Sequence, residues 1–119
     1  MRTVNADAKP IRLADGDELD AFVADEELAL VEFYTKGCSM CAAMEPVLGN
    51  VARATDVAVG LVNPGDDVRL VERFEIRSAP TLLLFRDGEV VARKAEGFQG
   101  AADVVSFLEA NAPGVAVEA

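Results

Sequence analysis

The sequence predicts an α/β domain, with a central mixed β-sheet of about five strands flanked by about four helices in three layers. Three observations predict it. Strand-like apolar runs alternate with stretches of helical periodicity, the pattern of parallel strands joined by crossovers. The run Leu28 to Tyr34 is almost continuously apolar, as in a strand covered on both faces. Near the end, Asp87-Gly88 separates two strand-like runs and marks a tight antiparallel hairpin, which makes the sheet mixed.

Composition narrows the function classes. A chain of 119 residues suits one domain and can bury a core without a metal or disulfide staple. No apolar run approaches the ~20 residues needed to cross a bilayer, so no membrane partner is expected. Met1 to Pro10 is polar and has no signal-like apolar segment, which sets the expectation of a cytoplasmic protein. The net charge is −10, from 21 acids against 11 bases, so a phosphate backbone is repelled and nucleic acid is not an expected partner. Acid excess with only three lysines, Lys9, Lys36 and Lys94, resembles proteins of salt-loaded cells, where self-repulsion is screened.

The elements follow in chain order. Residues 1–10 read as a flexible leader, 11–112 as the domain and 113–119 as a flexible tail. Ile11-Arg12-Leu13 is a short first strand. Asp15 can cap a helix over about 16–25, whose Leu19, Phe22 and Val23 form one stripe. Leu28 to Tyr34 is the second strand, and Thr35-Lys36-Gly37 breaks it. A helix over about Ser39 to Ala54 repeats Met40, Ala43, Met44, Val47, Leu48 and Val51 as its inward face, with Pro46 inside it. Met40, at the helix start between two cysteines, also reads as exposed. Val57 to Val62 is a buried strand. Asp66 or Asp67 can cap a short helix turning Val68, Val71 and Phe74 inward. Thr81 to Phe85 and Glu89 to Ala95 form the hairpin. The last helix, about 101–111, buries Val104, Phe107 and Leu108 before Pro113-Gly114 stops it.

The chemistry centres on Cys38 and Cys41, the two cysteines of the chain. Three apart on a helix, they lie one turn from each other on one face. Two sulfurs so placed can close a small disulfide or open to two thiols. Beside a strand–helix junction this is a redox signature. Glu32 adds to it, a carboxylate within an apolar strand, where burial is costly unless the acid has a task. Other readings of the pair are an inert buried couple, or half of a tetrahedral zinc site. With no His and no further Cys, the zinc site requires a dimer or free carboxylates.

Over about Ala14 to Asn111 the sequence resembles the thioredoxin family. Leu30-Val31-Glu32-Phe33-Tyr34, the Cys38–Cys41 pair, Pro46, Ile76-Arg77-Ser78-Ala79-Pro80-Thr81-Leu82-Leu83-Leu84-Phe85, Asp87-Gly88-Glu89-Val90 and Gly97 carry the resemblance. It implies a thioredoxin fold and an enzyme that reduces disulfides in partner proteins by dithiol–disulfide exchange. Cys38 is then the nucleophile, Cys41 the resolving thiol, and Glu32 the base that serves Cys41. Pro80 corresponds to a cis-proline beside the site, and Ala79 offers its backbone to an extended client segment. Gly37, Ser39, Met40, Gly97 and Phe98 rim the groove, although Phe98 reads equally as core. The resemblance implies no bound cofactor, disulfide-containing clients, a thioredoxin reductase or other electron donor, and a monomer. Six positions depart from the family pattern: Gly37 for Trp, Ser39-Met40 for Gly-Pro, Glu32 for Asp, Leu61 for a Lys, and Ala79 for a frequent Ile. They bear on potential, thiol pKa and client preference. Ser39 is expected to donate a hydrogen bond to the Cys38 sulfur. The alternatives are an isomerase or oxidant on the same fold, and a CxxC module that binds a metal or a partner without turnover.

Overall fold

In the computed structural model, which describes residues 2–118, the apolar run becomes strand β2, Leu28–Phe33, with all six residues buried. Its neighbours explain why. Strand β3, Ala58–Val62, lies parallel to it on one side, and β4, Thr81–Arg86, antiparallel on the other. Strand β1, Ile11–Leu13, adds to β3 in parallel, and β5, Glu89–Lys94, adds to β4 through the hairpin. The order is β1-β3-β2-β4-β5, a five-stranded mixed sheet. Asp87 and Gly88 both take positive φ, 50° and 83°, as the expected two-residue turn requires.

Successive residues of a strand point to opposite faces, and the helices cover both. Leu28 and Leu30 join Met44, Leu48 and Val51 of α2, Ser39–Ala54, and Val104 and Leu108 of α4, Ala101–Asn111. Ala29, Val31 and Phe33 join Leu19 and Val23 of α1, Gly16–Ala24, and Leu70 of α3, Arg69–Arg73. Each of these fully buried large side chains contributes about 1.5–3 kcal/mol through burial. Asp15 caps α1, its Oδ1 accepting from the Glu18 amide at 2.9 Å. Glu18 Oε1 in turn accepts from the Ala14 amide at 2.9 Å, tying the residue before the cap to the first turn of the helix.

Two expectations about helix faces are corrected. Val68 and Val71 do not turn inward: they are 71% and 40% exposed, and Leu70 is the residue α3 buries. Neither Asp66 nor Asp67 caps this helix, whose N-cap position is Val68 with no side-chain cap; Asn63 instead caps a separate 3-10 turn over Pro64–Asp66, and that turn sets the phase of the helix behind it. Asp67 instead accepts a 2.9 Å hydrogen bond from the Gly16 amide, joining α3 to the start of α1. Phe74 is half-buried, its ring tilted against Phe33 and edge-on to Phe85. On α2 the inward stripe is Cys41, Met44, Leu48 and Val51, with Ala52 beside it. Met40 and Ala43 precede that stripe by one position each, a rotation of about 100° that leaves both exposed.

The stretches before and after the domain both touch it. Arg2 Nε bonds Asp56 Oδ2 at 2.9 Å, Val117 bridges Thr55, and the Glu118 amide bonds Ala54 O at 2.6 Å. Among the described residues no helix is long and apolar enough to cross a membrane.

Gly60 shows how tightly β1, β3 and α1 meet. A Cβ there would lie 2.9 Å from Leu13 Cδ1 and 3.0 Å from Phe22 Cε2. The variant Gly60→Val is expected to lose roughly 1–3 kcal/mol of stability by overpacking, read as a lower denaturation midpoint at unchanged slope. A midpoint equal to that of wild type would contradict this packing.

Candidate active site

The site is built where β2 hands over to α2. Gly37 has φ of 77° in the connecting turn, a left-handed conformation in which a side chain is strained. Cys38 follows as the N-cap of α2, with extended backbone, and its sulfur accepts a 3.1 Å hydrogen bond from the Cys41 amide. The sulfur therefore faces the free N–H groups and positive end of a 16-residue helix, which favours negative charge on it. In this disulfide state the bond to the Cys38 sulfur comes from the Cys41 amide, and among the described residues none comes from the Ser39 hydroxyl. Cys38 and Cys41 are joined as a disulfide, with Cα atoms 5.3 Å apart. Cys38 is half-buried and Cys41 only 3% exposed.

The start of β4 brings Pro80 to the pair. The Ala79–Pro80 peptide is cis, Pro80 is buried, and Ala79 O lies 3.8 Å from Cys38 Sγ. The rim is drawn from two further places. Met40 Sδ is 3.4 Å from where a Cβ on Gly97 would stand, so this glycine admits the methionine. Phe98 is 49% exposed and not a core residue, and Met40 is 47% exposed. The loop behind them is tied to α2 by the Gln99 amide, which donates to Met44 Sδ at 3.2 Å. The structure thus brings Cys38, Cys41, Ala79 and Pro80 together, with Gly37 and Ser39 on one flank and Met40 against Gly97, which the exposed Phe98 follows in the chain.

Glu32 lies beneath. It continues the Leu28–Leu30 row, so its side chain projects to the face that α2 covers. It is 1% exposed, and neither carboxylate oxygen has a hydrogen-bond partner among the described residues. Burial pushes its pKa from 4.5 up to about 8, the nearby Glu45 charge adds to the rise, and the Arg12 guanidinium opposes it.

A concavity of about 410 Å³ opens over the pair, lined by Tyr34, Thr35, Gly37, Cys38, Ser39, Cys41, Ala42 and Glu45. Tyr34, Glu45 and Arg12 were not singled out from the sequence. Glu45 carried a usable signal, since it lies four residues after Cys41 and so one turn further along the same helix face. Arg12 carried none, because its place depends on strand register. Among the described residues no three His, Cys, Asp or Glu side chains are grouped to hold a metal ion.

Comparison with known proteins agrees with this geometry. The thioredoxin family model matches residues 10–110. A thioredoxin of Chlamydia pneumoniae is 34% identical over 84 residues, which are 70% of this chain and 81% of that protein. Protein disulfide isomerase-like 1-3 of Arabidopsis thaliana is 30% identical over 110 residues, 89% of this chain but 18% of that longer protein. Among solved structures, a mutant thioredoxin from Halobacterium salinarum NRC-1 is similar with a TM-score of 0.82 and 31% identity, over 92% of this chain and 95% of that one.

The buried acid has a consequence for stability. Unfolded, Glu32 ionises near 4.5; folded, it holds its proton to about 8. Its contribution is therefore full below pH 4.5 and lost as pH rises through about 8, because only the unfolded chain gains by releasing the proton. The disulfide form of Glu32→Gln is expected to lose less stability than wild type across that interval in denaturant titrations. Parallel pH profiles for the two proteins would contradict the raised pKa.

Proposed function

As this chain belongs to the thioredoxin family, and is a thiol–disulfide oxidoreductase, we propose that Cys38 attacks disulfides of partner proteins and that Cys41 resolves the product. The observation that carries the assignment is the position of Cys38, half-buried at the N-cap of α2, disulfide-bonded to Cys41 and beside the Ala79 carbonyl.

In the dithiol state the Cys38 thiolate attacks one sulfur of a client disulfide, and the second client sulfur leaves as a thiolate. The mixed disulfide is then attacked by Cys41 at the Cys38 sulfur, which closes the intramolecular disulfide and expels the first client sulfur. Two electrons pass to the client, and two protons end on its thiols. Cys41 is buried, so its thiol must lose a proton where water is scarce. Glu32 is the acceptor we assign: with a pKa of about 8 it is mostly protonated at neutral pH, and its ionised fraction, the form that can take the proton, grows as pH rises toward that value. The exposed Met40 and Phe98 give clients an apolar rim, and the Ala79 backbone beside Pro80 gives an extended segment its hydrogen bonds.

A thioredoxin reductase or another dithiol donor returns the electrons. We take the protein to work as a monomer in the cytoplasm, where the glutathione and thioredoxin systems keep thiols reduced. The acid-rich composition supports a salt-loaded cell.

With a disulfide-bonded test protein such as insulin and a dithiol donor, Cys38→Ser is expected to abolish reduction and form no mixed disulfide. Cys41→Ser is expected to stop turnover yet accumulate a stable covalent adduct through Cys38. An adduct on Cys41 in the first variant, with none on Cys38 in the second, would reverse the assignment.

A further inference from the structure

We propose that the Arg12–Glu45 ion pair is a positioning element for the Glu32 proton, held over the site by β1 and α2. The inference rests on the reading of Glu32 given above and goes beyond it by naming the groups that set when the proton moves.

Register places the pair. Arg12 is opposite Leu61 in the β1–β3 ladder, and Leu61 is opposite Glu32 in the β3–β2 ladder. The three residues form one cross-strand row on the α2 face, with Leu61 between Arg12 and Glu32. Arg12 Nη2 donates to Glu45 Oε1, and its guanidinium carbon stands 5.5 Å from the centre of the Tyr34 ring. Tyr34 and Glu45 line the same concavity as Cys41. The cation thus bridges an edge strand to the first turns of the helix that bears the cysteines.

Few other charges compete. On the sheet, β3 and β4 present Leu61 and Leu82 beside Glu32. Further along the row, Lys94 of β5 lies over the Phe107 ring and 3.5 Å from Glu96. From α4 come Val104 and Leu108, and from α2 come Cys41 and Glu45. The two members of the pair act on Glu32 in opposite senses: Glu45 favours the protonated acid, and Arg12 the ionised one. Both are about half exposed, so the pair itself adds little to stability. Its effect is electrical, on a neighbour that has no hydrogen bond to hold either state.

The test follows the Glu32 carboxyl carbon by NMR across pH in the full-length disulfide form. Arg12→Gln is expected to raise the Glu32 midpoint and Glu45→Gln to lower it, each by about half a pH unit, the scale of one charge acting through partly wet protein. The double variant should fall between the two, and Arg12→Lys should restore the wild-type midpoint. Shifts in the same direction, or none, would overturn the proposal, since a merely structural pair would disturb Glu32 alike from either end. The titration involves no client disulfide, so it stands apart from the catalytic reading. If Glu45→Gln moves the titration but not the pH profile of insulin reduction, the coupling is upheld and the role of Glu32 as base fails.

Discussion

An ionised carboxylate with no hydrogen bond and almost no contact with water costs several kcal/mol, and Glu32 sits in just such a place. The protein meets that cost by keeping the group protonated through neutral pH. The role we assign to Glu32 depends on this enclosure. It requires β2 at the centre of the sheet, between β3 and β4, and it requires α2 packed over the Leu28–Leu30 row so that the acid lies on the cysteine side. The same packing buries Cys41 and leaves Cys38 half-buried at the cap. One thiol is presented to clients while the other is held back with an acid for company.

This division explains why the departures from the family pattern leave the reaction class intact. Gly37 stands in the turn with positive φ and with open space around it, so the loss of a large aromatic there removes rim surface and not support. Met40 supplies apolar surface in its place, lodged against Gly97. The apolar Leu61 removes a cation from β3, and Arg12 brings one to the same row from the next strand. The exchange we propose uses a helix terminus, two thiols one turn apart and an enclosed acid, and several sequences can supply them.

Much of this was legible in the sequence because it is local. The period-2 and helical patterns, the Asp15 cap and the Asp87-Gly88 turn each act over a few residues, and each element formed where its pattern lies. The Cys38–Cys41 spacing is local in the same sense. What escaped was set by phase and register. One 3-10 turn capped by Asn63 rotated the short helix after it and exchanged Val68 and Val71 for Leu70. The presence of Arg12 beside the site follows from a one-residue choice in how β1 pairs with β3, which no window around Arg12 contains. The Cys41 amide that donates to the Cys38 sulfur is a backbone group, which side-chain reading overlooks.

The central claim is that Glu32 takes the proton Cys41 must shed. The most direct measurement is the single-turnover rate at which a preformed Cys38 mixed disulfide is resolved, followed across pH in wild type and Glu32→Gln. The account predicts that the wild-type rate rises through an ionisation near pH 8, the value burial gives Glu32. In the variant that rise is absent and resolution is slower at neutral pH, leaving only the later ionisation of Cys41 itself. Superimposable profiles would contradict it and leave Glu32 a buried acid without a part in the exchange.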